Sequence, residues 1–186
     1  REWANIKIGQ AWAKSMISNP GKLKKSDLKS VWQMASSYAV DGGNALDLRL
    51  NPKDKIVWLE TGLKAARMLR NRSAEGAHLG NLGNAYVRLG DARKAVGYYE
   101  KALAIAREIG DRMGEGADLG NLGSAYADLG DARKAIGYYE QHLVIAREIG
   151  DRKSEGNALG NLGLAYADLG DARKAVGYYE KALAIA

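Results

Sequence analysis

Apolar and small residues recur along this chain at intervals of three and four positions, which is the spacing of one helix face. In residues 79–102 the positions that follow this spacing are Leu79, Leu82, Tyr86, Ala95, Tyr99 and Ala102. Leu89-Gly90-Asp91 interrupts the pattern, because Gly is free to adopt a left-handed conformation past a helix end and Asp supplies an N-cap oxygen. Ile109-Gly110-Asp111 carries the same signal. The pattern predicts two helices of about 18 residues, near 27 Å each, which short turns make antiparallel.

This pair of helices repeats with a period of 40 residues. Residues 80–119 and 120–159 are identical at 29 of 40 positions, and a third copy opens at Gly160 and stops at Ala186. A fixed period of this size is typical of a solenoid, in which each unit buries its apolar face against its neighbours. The predicted fold class is therefore all-α, an α-α superhelix built as a solenoid of antiparallel helix pairs.

The first 72 residues carry a weaker form of the pattern. Asn51-Pro52 is a helix start signal, and the helix that follows is predicted to run to about Leu69. A shift of 40 residues places Asn51 under Asp91 and Trp58 under Tyr98. We predict an N-terminal helical cap or junction over residues 1–50, the helix of a degenerate repeat over 51–72, and three repeats over 73–186, the last of them truncated.

Two helices are predicted within residues 1–50. The first carries Trp3 and ends at Asn19-Pro20-Gly21, and the second is capped by Ser26 or Asp27. Asp41-Gly42-Gly43 then ends or bends the chain. Because the sequence does not start with Met and stops before the Gly that ends this helix in earlier copies, we expect it to be part of a longer protein.

The net charge of +6 is unevenly distributed. Residues 1–72 hold 14 Lys and Arg against 6 Asp and Glu, whereas residues 73–186 hold 14 against 16. The repeats are therefore not a polyphosphate-binding surface, and attraction to nucleic acid would depend on four N-terminal lysines, Lys22, Lys24, Lys25 and Lys29. No aromatic residue is interleaved among these lysines, so the residues favour the alternative of a solvated face. Nucleic acid is not the expected partner.

Composition excludes several other classes of function. The chain has no Cys, which excludes disulfides and thiolate metal sites. No apolar run approaches the roughly 18 to 20 residues of a membrane span, and there is no signal peptide pattern, so we expect a cytoplasmic protein without a membrane partner. His78 and His142 lie in different helices, and no nucleophile, base and orienting group come together. We predict no enzyme, no catalytic residue, no metal and no cofactor for this chain.

The repeat unit resembles the tetratricopeptide repeat signature. Leu79-x-x-Leu82-Gly83-x-x-Tyr86 followed by Ala95-x-x-x-Tyr99-x-x-Ala102 has Leu in place of the Trp of that signature and Tyr in place of its Phe. The period is 40 rather than 34, the terminal Pro is absent, and His142 replaces a small Ala in the middle copy. The Leu-Gly-Asn triplets at 79–81, 119–121 and 159–161 are similar to a class of these repeats found in scaffolding proteins that bind extended peptides.

The N-terminal third carries a second resemblance. A helix containing Trp, the segment 46–52, and then Trp58-Leu59-Glu60 precede the near-identical repeats. This arrangement resembles the segment that follows the nucleotide-binding module in bacterial signalling NTPases of the STAND (NB-ARC) type. In that family such repeats form the sensor arm, so the resemblance implies a sensor or scaffold role.

Differences between the near-identical copies mark a candidate binding surface. Three of the differing positions fall on the first helix of each pair and, together with one unvarying Asn per copy, form the series i, i+4, i+7, i+11, which is one stripe of a helix. Positions that change from Asn to Leu or from Arg to Asp are expected to be exposed. We call this surface the asparagine stripe, and its members are Ala77, Asn81, Asn84 and Arg88, then Ala117, Asn121, Ser124 and Asp128, then Asn157, Asn161, Leu164 and Asp168.

The resemblance implies that the first helices line a concave face that binds ligands. An Asn amide offers donors and an acceptor that match a peptide main chain, and helices packed about 8 to 10 Å apart would be reached by roughly every third residue of an extended peptide. We predict a protein-protein interaction module that binds a peptide or protein partner on this face, as the sensor or scaffold arm of a larger signalling NTPase. Two alternatives stay open. Each Asn could satisfy only a neighbouring helix backbone, or the chain could be a structural spacer or self-association element whose exposed ends stack.

Some other residues also receive a predicted role. Glycine inside a helix is unfavourable by about 0.5 to 1 kcal/mol relative to Ala, so each helical glycine is expected to have a structural reason. We expect Gly123 and Gly137 to allow a close approach of helix backbones, and Gly120 to leave room for a ligand beside Asn121. Glu100 and Arg107 are expected to form an exposed pair.

Overall fold

The computed structural model of the protein describes residues 11, 14–16, 25–41 and 52–185. From residue 25 on, the described residues form eight α-helices and no strand, as the sequence predicts. They are α1 (Lys25–Asp41), α2 (Pro52–Met68), α3 (Arg72–Arg88), α4 (Ala92–Ile109), α5 (Arg112–Asp128), α6 (Ala132–Glu148), α7 (Arg152–Asp168) and α8 (Ala172–Leu183). Several predicted features lie outside the described residues, namely Trp3, the turn 19–21, Lys22, Lys24, Gly42, Gly43 and Asn51. The predicted division into parts at residues 50 and 72 stays a prediction.

The chain divides into two compact units, Arg1–Leu89 and Gly90–Ala186. In the first unit α1 packs on α2 and α3, and α2 packs on α3. In the second unit each helix packs on the next from α4 to α8, and α5 also contacts α7. The core between α6 and α7 contains Tyr139 and Leu143 from one helix and Leu159 and Leu162 from the other. In the second unit, α5 and α7 are therefore each covered by the second helices that precede and follow them in sequence.

The helix ends predicted from Gly-Asp pairs are confirmed. Gly90, Gly110, Gly130, Gly150 and Gly170 adopt φ angles of 71° to 79°. The Asp131 carboxylate accepts a hydrogen bond from the backbone N–H of Lys134 at 3.1 Å. The backbone N–H groups of Gly130 and Asp131 donate to the carbonyls of Ala127 and Tyr126, both at 2.9 Å, as in a Schellman motif. One helix start differs from the prediction, because α1 begins at Lys25 and Ser26 and Asp27 lie inside its first turn.

Arg70 occupies the left-handed position that Gly fills at the other helix ends. Its φ is 54°, and it corresponds to Gly110 and Gly150 in the later copies. Because a side chain in this conformation costs about 1 kcal/mol, we expect Arg70→Gly to raise the free energy of unfolding by about that amount relative to Arg70→Ala. Urea denaturation of residues 1–186 measures the difference. Equal stability of the two variants would contradict the assignment of strain to this position.

A carboxylate with little solvent contact links successive helices in each repeat. Glu115 accepts hydrogen bonds from Arg107 Nε and Arg112 Nη1, and equivalent bonds join Glu75 to Arg67 and Glu155 to Arg147. Burial acts to raise the pKa of Glu115, but the hydrogen bonds from the two arginines outweigh it and leave the pKa below its ordinary value. The predicted pair of Glu100 with Arg107 is therefore wrong. Residues seven apart lie two helical turns from each other, whereas Glu115 lies in the first turn of the next helix.

Candidate functional site

The asparagine stripe lies on α3, α5 and α7. Its unvarying Asn members, Asn81, Asn121 and Asn161, are half-buried, and every other member, including Asn84 and Asn157, is exposed. Leu164 is the most informative of these, because 58% of this large apolar side chain is exposed. An apolar side chain with this exposure lies on a surface and contributes little to the core. The position that holds Leu164 carries Ser124 in the copy before it.

In the second unit a groove of about 580 Å³ runs between α5 and α7. We call it the α5–α7 groove. It brings together six members of the asparagine stripe, Ala117, Asn121, Ser124, Asn157, Asn161 and Leu164. Asp128 and Asp168 do not line it, and the first-copy members Ala77, Asn81, Asn84 and Arg88 lie in the other unit. Ala77 lines a separate cleft of about 430 Å³ beside α1.

The polar groups of this groove differ in how they are used within the protein. The Ser124 hydroxyl donates to the carbonyl of Gly120 at 3.2 Å and accepts from the Tyr139 hydroxyl at 3.2 Å. In the part of the chain that the structure describes, no hydrogen bond joins the side-chain amides of Asn121 or Asn161 to another protein group. The two amides therefore remain available at the groove surface.

His142 enters the groove from α6 and is a lining residue that the sequence did not assign to the site. It is buried and lines the groove, and its Nδ1 atom is buried without a hydrogen-bond partner. Burial lowers the pKa of His142, and the negative charge of Asp151 opposes this shift. One feature of the sequence could have identified His142: the equivalent position holds Ala in the other two copies, as Ala102 and Ala182.

The glycines of α5 and α6 have other reasons than those predicted. A Cβ at Gly120 would lie 3.0 Å from His142 Nδ1, so Gly120 makes room for this ring and the predicted ligand space is filled. A Cβ at Gly123 would lie 2.4 Å from Tyr139 Cε1, so a tyrosine ring rather than a helix backbone approaches it. Gly137 has no atom within 4 Å of a built Cβ, and the predicted close approach there is wrong.

The copies also differ at buried positions outside the asparagine stripe, and one of these positions carries a titratable side chain in two of the copies. It holds His78, Asp118 and Ala158, all of them buried. Burial, with a contribution from Asp111, raises the pKa of Asp118 to about 7. Burial lowers the pKa of His78 to about 4, and His78 Nε2 lies 3.2 Å from the Ser36 hydroxyl. None of the three lines the α5–α7 groove.

Groups of three or more His, Cys, Asp or Glu that could hold a metal ion do not occur among the described residues. Of the helices described, none is long and apolar enough to cross a membrane. Among the described residues, the α5–α7 groove is the candidate site because it brings together six members of the asparagine stripe.

Antiparallel helix pairs that pack one after another, with a polar groove between α5 and α7, define an α-helical repeat protein of the solenoid class. The tetratricopeptide repeat family model matches residues 72–148 and 117–186, and the chain belongs to this family. The predicted α-α solenoid is confirmed, because solved structures of this family superpose on the chain. No curated protein sequence matches it.

Three solved structures illustrate the similarity. The tetratricopeptide repeat domain of FLU from Arabidopsis is 26% identical, with a TM-score of 0.59 over 61% of this chain and 95% of that one. A STAND protein (Signal Transduction ATPase with Numerous Domains) from Pyrococcus horikoshii, which has a tetratricopeptide repeat sensor, is 20% identical, with a TM-score of 0.69 over 95% of this chain and 30% of that one. A Rap protein complexed with Competence and Sporulation Factor is 16% identical, with a TM-score of 0.74 over 99% and 50%.

Proposed function

We propose that this chain is a protein-binding module whose α5–α7 groove takes an extended segment of a peptide or protein partner. The observation that carries the proposal is the pair of half-buried residues Asn121 and Asn161, whose side-chain amides have no hydrogen-bond partner among the described residues. An amide at the groove surface without a protein partner is available to a ligand, and a peptide main chain supplies both a donor and an acceptor for it. This supports ligand binding over the alternative that each Asn satisfies a neighbouring helix.

The neighbours of the two amides provide selectivity in this proposal. Leu164 offers an apolar surface at one end of the groove and Ser124 a hydroxyl at the equivalent place one repeat earlier. Asp128 and Asp168 are exposed one turn further along each helix. Exposed carboxylates favour a partner with opposite charge at that end. The proposed partner is therefore an extended segment with an apolar residue and a basic residue close together.

The wider role proposed for the chain is the sensor or scaffold arm of a signalling NTPase. The arrangement of the N-terminal third supports it, as does the likeness to a STAND protein that has a tetratricopeptide repeat sensor. The chain covers 30% of that protein's length, so an NTPase module would be encoded outside the present sequence. Sequencing of the gene upstream of Arg1 tests the proposal, and a gene with no nucleotide-binding module would contradict it.

Loss of both amides is expected to weaken partner binding without a loss of stability. Because each buried hydrogen bond to a ligand contributes about 1 kcal/mol, the double substitution Asn121→Ala with Asn161→Ala should weaken binding at least about tenfold. The probe is a set of peptides selected on residues 1–186 from a random display library, with affinity measured by titration calorimetry. Glu140→Ala, an exposed change on α6, is the control. Unchanged affinity at unchanged melting temperature would contradict the role of the amides.

The alternative function is self-association, which would place one face of α8 against a second copy. Val176 and Leu183 are 55% and 76% exposed, whereas their equivalents Ile136 and Leu143 in α6 are both 8% exposed. An apolar face of this kind favours contact with a further helix or a second copy. Sedimentation over a range of concentrations separates the two functions. A binding module stays monomeric, whereas a stacking element gains mass with concentration and loses that gain on Leu183→Lys.

A further inference from the structure

The second and third repeats hold their two helices in the same relation to each other. A Cβ at Gly123 would lie 2.4 Å from the Tyr139 ring, and a Cβ at Gly163 would lie 2.5 Å from the Tyr179 ring. Two helical turns earlier, Ile145 lies 3.1 Å from a Cβ built on Gly116, and Ile185 lies 3.5 Å from a Cβ built on Gly156. Both flanking contacts are therefore present in both repeats. At the glycine that lies between these two contacts, a difference between the repeats therefore comes from the side chains alone and not from a shift of the helices.

Such a difference occurs at the glycine between these contacts. In the second repeat the His142 imidazole packs on Gly120, with Nδ1 and Cε1 at 3.0 and 3.1 Å from a built Cβ. In the third repeat Gly160 has no atom within 4 Å of a built Cβ, because the residue equivalent to His142 is Ala182. Gly160 lines the α5–α7 groove. The groove therefore contains a hollow over Gly160. It corresponds in position and shape to the space that the His142 imidazole fills over Gly120 in the repeat before. We call this the Gly160 hollow.

We propose that the Gly160 hollow binds a ring side chain of the partner, stacked on the Gly160 backbone as His142 stacks on Gly120. This inference rests on the proposed function, because the ring belongs to the peptide in the groove. Planar side chains suit a shallow site floored by backbone, because their two faces bury apolar area while their edges stay polar. The second repeat contains an example of this packing, since the His142 ring lies at the equivalent point over Gly120.

The polar groups around the hollow favour a ring with a hydrogen-bonding edge. Asn157 and Ser154 line the groove in the third repeat, where the second repeat has Ala117 and Gly114. Asn157 is exposed, and its amide can meet a ring N–H or hydroxyl. The Ser154 hydroxyl donates to Asp151 at 2.7 Å, so its oxygen lone pairs are free to accept. His, Tyr and Trp are therefore the preferred partner residues, ahead of Phe, and Phe ahead of Leu or Ala.

A ring fragment alone tests the hollow without a peptide. The probe is 4-methylimidazole, titrated into isotopically labelled residues 1–186 at neutral pH, with amide resonances followed by NMR. We expect saturable shifts at Gly156 and Gly160 but not at Gly120. Ala182→His supplies the missing ring and should abolish the shifts, and His142→Ala should create a second set at Gly116 and Gly120. Amide spectra of each variant report whether it is folded. Absent shifts at Gly160 in the unchanged protein, or shifts that persist in folded Ala182→His, would overturn the proposal.

A peptide panel separates failure of the hollow from failure of the groove. The probes are the library-selected peptides, each made with His, Tyr, Trp, Phe, Leu or Ala at one position in turn. We expect one position at which loss of the ring weakens binding about tenfold, and Ala182→His should remove this preference while peptides without the ring keep their affinity. Binding with no ring preference overturns the hollow and leaves the proposed function in place. If the double Asn variant binds as tightly as the unchanged protein, the proposed function fails instead.

Discussion

Gly123→Ala is expected to lower the free energy of unfolding by about 2 to 3 kcal/mol. The added methyl group would lie 2.4 Å from Tyr139 Cε1 and 2.5 Å from its Cδ1, which is far inside contact distance. Tyr139 is 4% exposed and its hydroxyl donates to Ser124, so the ring has no free space to move into. The helices α5 and α6 must separate, and the buried apolar contacts between them weaken.

Two matched substitutions control for the intrinsic preference of Ala over Gly in a helix. Gly137→Ala adds the same methyl group in α6 where no atom lies within 4 Å, and it should stabilise by about 0.5 to 1 kcal/mol. Gly163→Ala meets Tyr179 at 2.5 Å, but this ring is 36% exposed and can turn outward, so a smaller loss is expected. Urea denaturation of the three variants measures the order. A Gly123→Ala protein as stable as Gly137→Ala would show that the ring moves without cost.

Asp118→Ala should stabilise the protein at pH 8 and have a much smaller effect at pH 4. Burial raises the pKa of Asp118 to about 7, above the value of about 3.9 in an unfolded chain. Between these two values the folded state holds more protons, so this residue makes stability fall as the pH rises. At pH 8 the folded protein contains a buried charge, and its removal should add on the order of 2 kcal/mol. Ala already occupies the equivalent position in the third copy, as Ala158.

The difference in the free energy of unfolding between the Asp118→Ala variant and the unchanged protein isolates the effect of Asp118. Other titratable groups, some with the opposite pH dependence, are present in both proteins. His78 has a folded pKa of about 4, below its ordinary value, so it adds stability as the pH rises from 4 to 6.5. Glu115, with its lowered pKa, adds stability that is lost as the pH falls below its ordinary value. Asp111 and Tyr99 interact electrostatically with Asp118, and both remain in the variant. Asp118→Asn keeps the shape and should follow the same pH dependence. A constant difference from pH 4 to pH 8 would contradict the assignment.

Much of the fold follows from signals that act over a few residues. The Gly-Asp pairs predict the helix ends because the left-handed conformation at Gly130 and the N-cap bond from Asp131 are local. Periodicity predicts which face of each helix is apolar, and buried Leu159 and Leu162 follow from it. The period of 40 predicts that each helix pair packs on the next. The exposed side chains of the asparagine stripe were located in the same way, from differences between copies.

The details of the site depend on residues that the sequence keeps apart. Gly120 and His142 are 22 positions from each other, and only the hairpin of α5 and α6 places the ring over the glycine and leaves Gly160 uncovered.

By itself, therefore, the sequence determined the helices, their ends and the repeat family, because backbone preference and helix periodicity are encoded within single turns. Tertiary structure alone decided that Glu115 rather than Glu100 pairs with Arg107, that Asp118 is buried, and which glycines face a ring. Each of these depends on the side chain that an opposing helix brings within contact distance.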